Sequence, residues 1–77
     1  MRTYVITLDD GDLGQILDGL ELRAESWERT RNYLQTGLVD LMAPFIIEEC
    51  SKAQEAEAIS THYRLIIAKI LDQMKTQ

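Results

Sequence analysis

Between Leu13 and Leu34 the chain sets Leu13, Leu17, Leu20, Ala24, Trp27, Arg31 and Leu34 at alternating steps of four and three. That rhythm holds one stripe of side chains on a single face of an α-helix and suits a seam against a second helix. A strand cannot carry it, because alternate residues of a strand point to opposite faces. The chain must therefore supply or find a partner helix. Arg31 is the one charged member of the stripe, and Ile16 lies beside it.

The ends of this helix are signalled locally. Asp9, Asp10 and Asp12 suit the positive end of a helix dipole, and Thr7 stands three residues before Asp10 in the spacing of a capping box. Gly37 can take the left-handed conformation that closes a helix, with Leu38 placed to cover Tyr33. A helix over about 10–36 is predicted. Ser51 followed by Gln54 reads as a second capping box, opening a helix over about 51–74 whose stripe is Ala56, Ile59, Tyr63, Ile66/Ile67, Ile70 and Met74.

Residues 1–8, MRTYVITL, alternate Tyr4, Ile6 and Leu8 with Thr3, Val5 and Thr7 in β-branched and aromatic types, which predicts a strand. The connection 37–50 is the least regular part: Pro44 interrupts it, and FII (45–47) is either a brief second strand or irregular. The fold class expected is α+β, mostly helical. An N-terminal strand is followed by two long antiparallel helices, a helical hairpin, with a short irregular or strand-like connection, in a single domain over 1–77.

Pairing the helices antiparallel, with Thr36 opposite Lys52, fixes a register. It brings Leu13 near Met74, Leu17 near Leu71 and Ile70, Leu20 near Ile67, Ala24 near Tyr63 and Trp27 near Ile59. Arg31 falls opposite Glu57, a candidate ion pair at the rim. Trp27 is accordingly read as core or subunit interface rather than as a ligand platform, although Trp beside Arg is also the composition of protein interfaces. Within the first helix, Glu25 precedes Arg29 at i,i+4 and Glu28 precedes Arg31 at i,i+3.

Composition bounds the function. A net charge of −5, with the eight basic residues scattered, disfavours direct nucleic-acid or anionic-membrane binding. No apolar run is long enough to span a bilayer, and the N-terminal stretch lacks the apolar core of a signal peptide, so a cytoplasmic protein is expected. The single Cys50 makes no internal disulfide, and Glu48 and Glu49 oppose its thiolate, so it reads as a structural residue. His62 reads as a surface or half-buried histidine.

No nucleophile–base pair, zinc spacing or phosphate-binding glycine motif is present, and LDDGD lacks the rest of a calcium loop. The chain is expected to be no enzyme, with no catalytic or metal-ligating residue and no cofactor.

Three functions remain open. At this size only about 60–65% of the unfolded surface is buried on folding, and a lone strand leaves both edges unpaired, so the first is a small non-enzymatic interaction module acting as a homodimer with one protein partner possible. Its candidate interface residues are Trp27, Arg31, Tyr4, Ile6, Arg23 and Tyr63. The second is a small inhibitor of the kind phages and mobile elements encode, using an acidic face against a host protein. The third is an oligomeric sponge for a small anionic ligand, which needs Arg23, Arg31 or Arg64 to converge beside Trp27 or Tyr63. A contiguous carboxylate stripe favours the second, and acids interleaved with Arg23, Arg29 and Arg64 count against it.

Overall fold

The first helix begins two residues later than a capping box at Thr7 would set it. In the computed structural model, which describes residues 1–37 and 51–77, α1 runs Asp10–Thr36 with Asp9 as its N-cap. The Asp12 N–H donates to Asp9 Oδ1 at 2.8 Å, and the Asp9 N–H donates to Asp12 Oδ2 at 3.3 Å. This is a reciprocal box in which an aspartate plays both parts, so Thr7 and Asp10 are not the capping pair. Gly37 closes α1 at φ 72° and donates its N–H to the Tyr33 carbonyl at 2.7 Å. The left-handed ending is therefore as predicted; the Leu38 cover over Tyr33 lies outside the described residues.

The second helix, α2, runs Ala53–Lys75. Its N-cap is Lys52, which makes no side-chain capping bond, so the Ser51–Gln54 box does not form. The reason is a shift of one residue: with Ala53 as the first helical position, Gln54 is the second and Glu55 takes the third, the place from which a side chain can reach back. Glu55 still favours the positive end of the dipole.

Residues 1–8 form no strand, and none occurs among the described residues. A strand needs a ladder partner, and two helices offer none. The α+β expectation is thus corrected to a helical hairpin preceded by an exposed irregular segment. The other proposed strand, FII, lies outside the described residues, as do LVDLMA and Cys50.

The two helices pack on each other along a narrow seam. Among the described residues the buried ones are all small: Ala24 and Ala56 are apolar, and Thr30 and Ser60 are polar. Both hydroxyls are satisfied within their own helix, Thr30 Oγ1 donating to the Ser26 carbonyl at 2.8 Å and Ser60 Oγ to the Glu57 carbonyl at 2.9 Å. The larger stripe residues, Leu17, Leu20, Trp27, Ile59, Tyr63 and Ile67 among them, are only partly buried. A pair of helices has one interface, so an apolar stripe wider than the seam stays partly uncovered.

Arg31 does not occupy the seam as the spacing implied. Thr30 is buried in its place, because a hydroxyl can satisfy itself on the preceding turn whereas a guanidinium cannot be buried without a counter-charge. The Cα radius of gyration is 14.8 Å, against about 11.5 Å for a compact domain of this length.

Candidate interaction surface

Three surfaces emerge from this hairpin, and each is set by where the helices stop covering one another. The first is a charged cluster at mid-length. The register places Ala24 at the level of Arg64, and the carboxylates one turn to either side of Ala24 are those that Arg64 engages. Its Nε and Nη2 donate to Glu28 Oε2 and Oε1 at 3.1 and 2.8 Å, and its Nη1 donates to Glu21 Oε1 at 2.6 Å.

The pairing with Glu28 is bidentate, the geometry that a planar guanidinium makes best. The hydrogen bond from Arg64 holds the Glu28 carboxyl below its ordinary value of 4.5, against an opposing effect of burial; the charges of Arg64, Arg31 and Arg29 add to the lowering. Reciprocally, the bonds to Glu28 and then Glu21 raise Arg64 above the usual guanidinium value.

This cluster was not anticipated as a contact. The signal existed: Glu21 and Glu28 stand seven residues apart on one face, and the register sets Arg64 between them. The predicted Arg31–Glu57 pair does not form. Arg31 instead donates through Nε and Nη2 to its neighbour Asn32 Oδ1 at 3.1 and 3.0 Å, and Glu57 is exposed. Glu25 and Arg29 do pair at 3.8 Å, as their spacing suggested.

The second surface surrounds Trp27. The ring is partly buried, its Nε1 is shielded from solvent without a hydrogen-bond partner, and the Arg23 guanidinium carbon stands 5.5 Å from the ring centroid. Such a cation–π contact at a part-exposed site contributes about 0.5–1 kcal/mol. Arg29 Nη1 is likewise buried without a partner. Trp27 thus lies at the margin of the seam, with Arg23 covering its outer side.

The third surface is the open end of the hairpin. Here a groove of about 490 Å³ separates the N-terminal segment, Tyr4 to Leu8, from Leu13 and Ile16 of α1 and Ile70 and Met74 of α2. Tyr4 is 74%, Val5 103% and Ile6 72% exposed, so the segment stands off the helices instead of packing on them. Of the six residues expected at an interface, Tyr4 and Ile6 gather at this end. Trp27 and Arg23 pair with each other at mid-helix, Tyr63 is partly buried on α2, and Arg31 is held by Asn32.

His62 is exposed, and Asp9 and Asp12 are engaged in the helix cap. Among the described residues no helix is long and apolar enough to cross a membrane. Comparison with protein-family models, with curated protein sequences and with solved structures finds no match.

Proposed function

We propose that the protein is a small non-enzymatic interaction module that works as a homo-oligomer, a homodimer in the simplest case, with its remaining surface free for one protein partner. The observation that carries this reading is the uncovered apolar end: Tyr4, Val5 and Ile6 stand in solvent beside a groove lined by Leu13, Ile16, Ile70 and Met74. Contiguous exposed apolar surface of this kind marks association sites. Acidity and the lone cysteine favour work in the cytoplasm, without direct contact to nucleic acid.

The acidic-mimic reading draws less support, because Arg64 lies between Glu21 and Glu28 and Arg29 beside Glu25. The anion-sponge reading needs arginines that converge, whereas Arg23, Arg31 and Arg64 are engaged separately by Trp27, Asn32 and two glutamates. Light scattering over a dilution series tests the proposal. A dimer mass that persists on dilution supports it, and a monomer at every concentration overturns it.

A further inference from the structure

Resting on the homo-oligomer reading, we infer that residues 1–8 are the dimerisation element. The segments of two copies pair antiparallel about a two-fold axis at Val5, and the resulting ribbon covers the apolar ends of both hairpins.

The first support is area. The chain exposes 6394 Å², against about 4,800 Å² for a folded monomer of its 8.8 kDa. The surplus of about 1,600 Å² per chain matches what each partner of an obligate homodimer buries, and exceeds the roughly 800 Å² per partner of a transient complex. Met1, Tyr4, Val5 and Ile6 are the most exposed large apolar residues among those described, which puts the N-terminal segment first among the surfaces available for association.

The second support is the alternation. Tyr4, Ile6 and Leu8 share one face of an extended segment and Thr3, Val5 and Thr7 the other, which is the pattern of a strand with one covered and one wet side. The protomer leaves this segment without a ladder, yet it is sequence suited to one. A two-stranded ribbon is marginal in water on its own and becomes stable when packed against a helix. In the two-fold arrangement Tyr4 of one copy faces Ile6 of the other, and that apolar face meets Leu13, Ile16, Ile70 and Met74.

The third support is charge, and it selects the direction. Arg2 is the only charged side chain within residues 1–8, and the segment runs straight into Asp9, Asp10 and Asp12. Antiparallel pairing about Val5 sets Arg2 opposite Leu8 of the second copy and one step from its Asp10. Parallel pairing would instead set Arg2 against Arg2 and the aspartates against each other. Cross-strand pairs of opposite charge stabilise and like pairs destabilise. An isologous two-fold therefore satisfies backbone, apolar face and charge together.

Two measurements on the full chain test this, in a Cys50→Ser background. At the two-fold the Val5 Cα atoms lie about 4.5–5.5 Å apart, inside the range of about 4.4–6.8 Å that a disulfide spans. Val5→Cys should thus oxidise to a covalent dimer at concentrations where Leu65→Cys, exposed on α2, forms no cross-link. Ile6→Asp should lower the light-scattering mass from dimer to monomer while helical circular dichroism is kept; if that variant unfolds, the cross-link alone decides.

A wild-type dimer that neither cross-links at Val5 nor responds to Ile6→Asp would overturn the N-terminal ribbon while leaving the homo-oligomer reading standing. A wild type that is monomeric at all concentrations would overturn both.

Discussion

Replacing Arg64 by methionine keeps most of the aliphatic stem that lies along the helix pair and removes only the charged fork. The Arg64 side chain is 38% exposed, and its partners Glu28 and Glu21 are 32% and 47% exposed, so water competes for all three groups. Exposed ion pairs measure about 0.2–1 kcal/mol each. The bidentate bond to Glu28 belongs near 1 kcal/mol, and the single contact to the more exposed Glu21 near about 0.3 kcal/mol. Arg64→Met should therefore cost about 1–1.5 kcal/mol at low ionic strength. Roughly half of that should vanish in 1 M salt, where the screening length shrinks to about 3 Å.

Urea unfolding at one fixed protein concentration reads this cost, since association would make the midpoint depend on concentration. A double-mutant cycle with Glu28→Gln should return a coupling of about 0.5–1 kcal/mol. A loss above about 3 kcal/mol that salt does not touch would mean that the cluster is desolvated. A coupling near zero would mean that the hydrogen bonds contribute nothing beyond solvation. Either result would refute the reasoning from exposure.

The same cluster predicts an acid limb. Glu28 holds its proton less tightly folded than unfolded, so its contribution is fully present above pH 4.5, the ordinary value, and is lost as pH falls through the lowered folded value. Acid titration of stability should show this limb reduced in Glu28→Gln. Asp9→Ala removes the side chain that accepts from Asp12 and should cost about 1 kcal/mol in chemical unfolding, with Asp9→Ser recovering most of it. Gly37→Ala forces a Cβ into left-handed backbone and should destabilise by about 1 kcal/mol or more. Gly19→Ala, in helical backbone with no atom near the added methyl, should stabilise by about 0.5–1 kcal/mol; thermal melts compare the two.

Both helices were legible because their evidence is local. The four-three stripe from Leu13 to Leu34, the aspartates around position 10 and Gly37 each specify a helical feature without reference to anything distant. One contact agrees with the register: Arg64, next to the Tyr63 expected near Ala24, engages the glutamates that flank Ala24, whereas the Arg31–Glu57 pair expected from the same register does not form. The N-terminal strand was misread for a non-local reason: the alternation in MRTYVITL states what the segment is suited to pair as, but pairing needs a second strand that the hairpin does not contain.

Capping was misread by two residues in α1, where Asp9 takes the cap in place of Thr7, and by one in α2, which starts at Ala53 and so moves Gln54 out of reach. Arg31 was misplaced because apolar spacing describes positions, whereas burial also requires that each polar group be satisfied; Thr30 meets that condition on its own turn.

The all-small seam has a consequence for alignment. Ala24, Thr30, Ala56 and Ser60 let the helices approach, but they interlock weakly, and by themselves offer little resistance to one helix sliding along the other. Arg64, held between carboxylates seven residues apart, supplies the missing index mark. A slide of one heptad in one direction would leave it between Glu28 and Gln35, and in the other between Gly14 and Glu21, so either way it keeps only one of its two partners. The cluster that adds little to stability thus acts as a detent: it selects the one setting in which Arg64 keeps both Glu21 and Glu28.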